Sequence, residues 1–172
     1  MNKYDPKLIY SEALDFIIAS DLLYSRAVLI GIKMESIDRC IGITFVSYAN
    51  HAFAFELLLK CLHVILTEKH PEGHDLNKLY KNLPVKIKKR IIEHYDKNGR
   101  YLNTTYDKGG WPKHDGFEET LESSIKPFYE FRYMYAHRLS DNYTTPSYKL
   151  RYALKSVQAI ILEVMPDIED FS

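Results

Sequence analysis

One apolar segment constrains the fold more than any other part of this chain. Between Phe45 and Val64 the hydrophobic residues recur at steps of three and four. That spacing matches the 3.6-residue turn of an α-helix rather than the two-residue period of a strand. We predict a helix that begins between Ser36 and Thr44 and ends near Lys69. Because the segment is apolar on most of its circumference, it is expected to be the central helix of a bundle, buried on several sides.

Start and stop signals bound the neighbouring helices. Asp5 followed by Pro6 has the form of an N-cap with proline at the first helical position, and Gly31 offers an end to that helix. Asp75 is expected to cap a short helix that runs through Asn82. These signals place one helix before the central segment and a short one after it.

The second half of the chain follows the same pattern. Pro84 is expected to open a helix that ends at a long loop over residues 99–111, "GRYLNTTYDKGGW". Asp115 and Glu118 have the form of a capping box for the next helix, which is expected to kink at Pro127.

A last helix completes the prediction. It is expected to start at Thr145 with Pro146 and to end at Pro166. The chain shows no β-hairpin signal and no internal repeat. The pattern therefore predicts an all-α bundle of five or six helices, with residues 1–172 as a single domain.

Composition bears on location and partners. The chain has 23 basic and 23 acidic residues, so its zero net charge gives no global attraction to nucleic acid or to an anionic membrane. Cys40 and Cys61 are expected to be reduced thiols that behave as small buried hydrophobes. The N-terminal segment lacks the apolar core of a signal peptide, and no run reaches about 18 apolar residues. We therefore expect a cytoplasmic protein without a membrane span.

A local excess of basic residues lies in residues 69–100, where nine Lys and Arg accompany four Asp and Glu. The densest part is a basic strip that consists of Lys86, Lys88, Lys89 and Arg90. Two interpretations stay open for this strip. It is either a solvated helix face or a surface that binds RNA phosphates and compensates for the neutral charge of the whole chain.

The histidines do not form a recognisable metal motif. His70 and His74 are four residues apart, but Pro71 and Gly73 lie between them, so the two imidazoles do not share one helical face. The chain has no HExxH or CxxC pattern, no Walker or Rossmann glycine pattern and no recognisable nucleophile motif. We expect no metal and no cofactor.

Arg132 and His137, in "FRYMYAHRLSDN", are the strongest candidates for chemistry. On a straight helix, five residues separate two side chains by about 140°. A shared site therefore needs a helix end or bend near His137, or a second copy of the motif from a partner chain. In the interpretation without chemistry, Arg132 pairs with Glu130 or Glu56, and His137 lies at a helix C-terminus, where positive charge is favoured.

Three pieces of the chain together resemble the HEPN family (higher eukaryotes and prokaryotes nucleotide-binding domains). "AFAFELLLKCLHVIL" resembles the long second helix of the family with its E-x-x-L-K core. "GHDLNKLYKNLP" resembles the G-H-D/N-L element that follows this helix, and "RYMYAH" has the family's R-x4-6-H spacing. The three pieces occur in the family's order and span the chain from about residue 45 to residue 163.

The resemblance implies an up-and-down helical bundle, often a homodimer. Active members of the family cleave RNA without a metal and use the Arg and His of both protomers in one cleft, so Arg132 and His137 become the catalytic candidates. Other members lack the chemistry and act as antitoxin-partnered or nucleotide-binding modules. Active members usually carry Asn, Asp or His directly after the Arg, whereas this chain carries Tyr133. The resemblance thus implies a toxin or phage-defence ribonuclease or, alternatively, a non-catalytic module that binds a nucleotide or a partner protein.

The residue types suit RNA cleavage, because RNA carries its own nucleophile in the 2′-hydroxyl. The imidazole of His137 can accept that proton or protonate the leaving 5′-oxygen, and the guanidinium of Arg132 can hold the scissile phosphate. Arg138 is expected to contact RNA, as is Tyr133 unless its ring packs in the core. A homodimer is predicted because one two-fold axis would repeat the motif in a shared cleft. Aromatic neighbours that suit such an interface are Phe128, Tyr129, Phe131 and Tyr135.

Overall fold

The computed structural model describes residues 4–33, 36–106, 116–122 and 149–170. These residues are helical except for short connections, and none of them lies in a strand, which confirms the predicted all-α bundle. The elements in chain order are α1 (Pro6–Ile32), α2 (Ile37–Thr67), α3 (Leu76–Lys81), α4 (Val85–Tyr106), α5 (residues 117–122), α6 (Lys149–Val164) and a final 3₁₀ turn (Pro166–Glu169).

Side-chain caps start the first three helices. Asp5 caps α1 by accepting a 2.9 Å hydrogen bond from the backbone amide of Lys7, and Asp75 caps α3 by accepting a 3.1 Å bond from the amide of Lys78. Both caps confirm the prediction. The start of α2 also falls in the predicted window, because Ser36 caps that helix. Each cap satisfies an amide that has no partner within its own helix.

The predicted central helix is confirmed. α2 packs against α1, α3 and α6, and most of its second half is buried. The apolar residues of this half that are buried in the core are Ala52, Ala54, Phe55, Leu58, Leu59, Cys61, Leu62 and Val64. Two charged residues of the same helix, Glu56 and Lys60, are buried among them. A buried ion pair in an apolar helix is unusual enough to mark a candidate site.

An aromatic cluster joins four helices. The ring of Phe117 in α5 lies 4.9 Å from the ring of Tyr80 in α3, 5.5 Å from that of Tyr95 in α4 and 6.3 Å from that of Phe55 in α2. The Tyr95 hydroxyl also forms a 2.6 Å hydrogen bond with the hydroxyl of Thr120. Edge-to-face ring pairs at these distances add attraction to the burial of apolar surface, so α5 is tied to the core through Phe117.

In α6, Leu150, Leu154, Val157 and Ile161 are buried, and Val164 at its end is partly buried. The chain then turns back to α1, where Ile168 is buried and the Glu169 carboxylate accepts a 3.0 Å hydrogen bond from Tyr10. Burial raises the pKa of Tyr10 to about 12. These contacts close the bundle between its first and last elements.

One local prediction is wrong. The loop predicted for residues 99–111 is helical up to Tyr106. Asn98 and Gly99 are weak helix formers, but a glycine penalty of about 1 kcal/mol weakens a helix without ending it. Asp115, the first residue of the predicted capping box, lies outside the described residues. At the start of α5 the Gly116 amide donates a 2.9 Å hydrogen bond to the side chain of Glu119.

The buried face of α1 combines two large side chains, Tyr10 and Ile30, with three small ones, Ala13, Ser20 and Ala27. The Ser20 hydroxyl donates a 2.6 Å hydrogen bond to the Ser47 carbonyl of α2. Small side chains allow two helix backbones to approach closely. The large apolar residues left exposed on α1 include Ile18, Leu22, Leu29 and Ile32.

The two cysteines are free thiols. Cys61 is fully buried, as predicted, and burial raises the pKa of its thiol to about 12. Cys40 is half-buried, and its thiol donates a 3.2 Å hydrogen bond to the Ala27 carbonyl. The expected burial thus holds fully for one thiol and partly for the other.

One helix among the described residues passes the length and composition test for a membrane span. It covers Asp38–Thr67, and more than half of its most apolar stretch is buried inside the protein. The core helix of a water-soluble bundle passes the same test, so this helix is weak support for a span.

Candidate functional site

A buried carboxylate joins the central helix to the loop that follows it. The Glu56 side chain is 2% exposed, and its Oε1 atom accepts a 2.8 Å hydrogen bond from the ammonium of Lys60. The same oxygen accepts a 2.8 Å hydrogen bond from Nδ1 of His74, which lies 18 residues further along the chain. Glu56 therefore holds two groups at once, one from its own helix and one from the loop before α3.

Local sequence explains how these groups meet. Glu56 and Lys60 are four residues apart on α2, a spacing that places two side chains on the same helical face. α2 ends at Glu68, which adopts a left-handed conformation with φ of 58°. Gly73, with φ of 88°, then turns the chain directly before His74, in a backbone conformation that glycine adopts without strain.

The two ends of the Glu56–His74 contact have opposite exposure. The His74 side chain is 62% exposed, although its partner carboxylate is buried. A carboxylate can only accept a hydrogen bond, so Nδ1 of His74 carries the proton in this contact. In the neutral ring, Nε2 then has a free lone pair, and Nε2 has no hydrogen-bond partner among the described residues. This is the tautomer that suits an imidazole which accepts protons from solution or from a substrate.

The second oxygen of Glu56 is unusual. Oε2 is buried, and within the described ranges no donor reaches it. A buried polar atom without a partner costs about 1–3 kcal/mol. Such atoms are rare in native proteins, and each calls for an explanation. Among the described residues, Nε2 of His51 and the hydroxyl of Tyr80 are also buried without a partner. The unpaired oxygen is therefore a further reason to treat Glu56 and its partners Lys60 and His74 as a candidate site.

A second histidine, His70, interacts with the charges of Glu56 and Lys60. The ring of His70 stacks on that of Tyr4 with 4.5 Å between ring centroids. Desolvation by burial lowers the pKa of His70, the positive charge of Lys60 acts in the same direction, and the charge of Glu56 opposes both. We define the carboxylate cluster as Glu56, Lys60, His70 and His74. Its groups can accept, donate and stabilise charge without a metal, and the described residues contain no group of three potential ligands that could hold one.

No family model matches this chain, and neither a curated protein nor a solved structure matches it. The functional proposal for this protein therefore depends on its own residues and on the resemblance of its motifs.

The predicted catalytic pair lies outside the described residues. This is true of Arg132 and His137, and also of the predicted RNA contacts Tyr133 and Arg138. Their roles stay predictions. The alternative partner suggested for Arg132, Glu56, already holds two other groups through one oxygen and has its second oxygen unpaired in the described part of the chain.

The basic strip lies at the start of α4, but its members do not form one free cationic face. Arg90 is bonded to the Glu163 carboxylate of α6, and the Lys88 ammonium donates a 3.0 Å hydrogen bond to the Lys81 carbonyl. Lys89 lies 4.0 Å from Glu93, its neighbour one turn later. Lys86 is exposed. Three of the four cations of the basic strip thus have intramolecular partners.

Two further histidines lie within the bundle. His63 has a hydrogen-bond partner, whereas Nε2 of His51 is buried without one among the described residues. His63 is buried and forms a 2.8 Å hydrogen bond with the Leu79 carbonyl, which joins α2 to α3. His51 lies 3.5 Å from the Asp21 carboxylate, and desolvation lowers its pKa while Asp21 opposes the shift. Neither combines a buried partner with an exposed ring as His74 does.

Sequence reasoning did not pair Glu56 with His74. It considered His74 as a metal ligand beside His70 and as part of the "GHDL" piece, and it considered Glu56 as part of the "ELLLK" piece and as an alternative partner of Arg132. A signal was present, because a glutamate and a lysine on a helix that is apolar on all sides must be paired when buried. The partner in the loop could not be identified from spacing, since a non-helical turn separates it from α2.

Proposed function

We propose that this chain is a HEPN-like, RNA-binding protein that cleaves RNA without a metal, in the cytoplasm and in a toxin or phage-defence setting. One observation carries the proposal. The two motif pieces "ELLLK" and "GHDL", which resemble successive family elements, meet in a 2.8 Å contact between Glu56 and His74. The all-α bundle built around the first of these pieces agrees with the fold that the resemblance implies.

In this proposal Arg132 and His137 carry the chemistry. Arg132 holds the scissile phosphate through two parallel hydrogen bonds and stabilises the charge that builds on it. His137 transfers a proton during attack by the 2′-hydroxyl. Arg138 and Tyr133 contact the RNA beside this pair. Lys86, the strip member with neither a hydrogen-bond nor an ion-pair partner in the described ranges, supplies a phosphate contact away from the reacting atoms.

The direct test compares wild-type protein with His137→Ala and Arg132→Ala on mixed RNA in EDTA. We expect wild-type cleavage to continue in EDTA, and each substitution to lower the rate by on the order of 10²–10⁴-fold. A matched control is His94→Ala, which removes a histidine that is bonded to the Glu163 carboxylate on α6. Equal cleavage by wild type and His137→Ala would remove His137 from the mechanism. Abolition of cleavage by EDTA would contradict metal independence.

The same proposal includes a homodimer whose cleft brings Arg132 and His137 of one chain near those of the other. The support is geometric, because about 140° separates the two side chains on a straight helix and a two-fold axis would supply the missing neighbour. We expect a dimer by light scattering at micromolar concentration. Mixed heterodimers of Arg132→Ala and His137→Ala chains are expected to regain part of the activity. A monomer under these conditions would contradict this part of the proposal.

A specific observation favours a second candidate, a non-catalytic HEPN-like module that binds a nucleotide or a partner protein. Arg90 and Lys89 lie beside carboxylates of their own chain, which reduces the positive charge available to an RNA backbone. Tyr133 also occupies the position after Arg132 where active members of the family usually carry Asn, Asp or His. Binding of a nucleotide or a protein partner by wild type, without RNA cleavage, would select this alternative.

A further inference from the structure

We infer that His74 acts as the general base toward the 2′-hydroxyl of RNA, and that the buried carboxylate of Glu56 positions the His74 ring for this task. This inference rests on the proposed ribonuclease function and extends it to a histidine outside the Arg132–His137 motif. His74 is here the catalytic residue and Glu56 is a positioning residue.

Geometry supports these roles. The Oε1 atom of Glu56 accepts a 2.8 Å hydrogen bond from Nδ1 of His74, which holds the proton on that nitrogen and directs the lone pair of Nε2 outward. The carboxylate is 2% exposed while the imidazole is 62% exposed. A buried carboxylate behind an exposed imidazole is the arrangement that orients histidine bases in hydrolytic triads and stabilises the imidazolium they form.

A purely structural role would not require this arrangement. Lys60 already supplies Glu56 with a charged partner at 2.8 Å. The chain also contains a histidine that joins two helices structurally, His63, and that ring is buried against the Leu79 carbonyl. His74 instead exposes most of its ring to solvent, and the second oxygen of Glu56 is buried with no partner among the described residues. Together these features indicate a proton-accepting site rather than a structural contact between α2 and the loop before α3.

The chemical step balances as follows. The 2′-hydroxyl proton moves to Nε2 of His74, the 2′-oxygen forms a bond to phosphorus, and the bond from phosphorus to the 5′-oxygen breaks. The leaving 5′-oxygen takes a proton from water. The products are a 2′,3′-cyclic phosphate and a 5′-hydroxyl end, and the imidazolium of His74 faces the Glu56 carboxylate until it releases its proton to water.

The experiment measures cleavage of single-stranded RNA in EDTA by wild type, His74→Ala and Glu56→Gln, with His94→Ala as the control. We expect His74→Ala to lower kcat by on the order of 10²–10⁴-fold with little change in KM. Added imidazole should restore part of this activity, because the exposed position leaves room for a free ring. Glu56→Gln should lower kcat about 10²-fold or more, since a similar amide-for-carboxylate change behind a catalytic histidine costs about 10⁴-fold. His94→Ala should cleave at the wild-type rate.

The outcomes separate this inference from the function on which it rests. No cleavage by wild type would overturn both, whereas cleavage that persists at the wild-type rate in His74→Ala overturns the role of His74 alone. If His74→Ala loses activity without imidazole rescue, nitrogen NMR of the wild-type ring decides. A proton on Nδ1 and an Nε2 signal that shifts on binding an uncleavable oligoribonucleotide, which keeps the 2′-hydroxyl and carries a methylene group in place of the 5′-oxygen, support the inference. An Nε2 signal that does not shift when this oligonucleotide binds assigns His74 a structural role and overturns the inference.

Discussion

Replacing Phe117 with alanine is expected to lower the free energy of unfolding by about 3–5 kcal/mol. The Phe117 ring is fully buried and contacts the rings of Phe55, Tyr80 and Tyr95, which belong to three other helices. Truncation removes apolar burial and leaves a cavity that rings held by separate helices cannot easily fill. Because domains are stable by only about 5–15 kcal/mol, this one change removes a large share of the total.

Urea denaturation followed by circular dichroism measures the effect. The matched control is Val85→Ala, at an apolar residue that is 78% exposed, where the change should stay within about 0.5 kcal/mol. Phe117→Leu should cost less than Phe117→Ala, because it retains most of the apolar volume. A loss below about 1 kcal/mol for Phe117→Ala would mean that the cluster does not hold α5 on the core.

The second large effect concerns the buried ion pair. Glu56→Leu is expected to destabilise the protein by about 3–5 kcal/mol, because it leaves the Lys60 ammonium buried without a counter-charge. The Lys60 side chain is only 9% exposed. The double variant Glu56→Leu/Lys60→Met removes both charges and replaces them with apolar groups of similar volume. We expect this variant to be as stable as wild type or more stable.

An exposed pair on another helix provides the control. Lys89 and Glu93 have the same four-residue separation on α4, but both are exposed and their charged atoms are 4.0 Å apart. Replacing either of them should change the free energy of unfolding by less than about 1 kcal/mol. If Glu56→Leu changed the free energy of unfolding as little as these surface variants do, burial would not be the reason why Lys60 depends on Glu56. If the double variant were as unstable as the single one, the pair itself would be needed for the fold.

Helix positions could be predicted from the sequence because their causes are local. Asp5 and Asp75 cap their helices through backbone amides two and three residues away. The recurrence of apolar residues on α2 required burial on several sides whatever the neighbours were. The predicted fold class was correct for the same reason, although the roles of Arg132 and His137 stay predictions.

The remaining features depended on which elements meet in three dimensions. α1 carries apolar residues around most of its surface, so periodicity located the helix but could not show that Ala13 and Ala27, rather than Leu22 and Ile32, would face the bundle. That choice followed from how closely two backbones can pack. The contact between Glu56 and His74 likewise spans 18 residues and a turn at Gly73. No spacing rule covers such a turn, so the buried carboxylate and its exposed imidazole became visible as one site only when the helices were packed together.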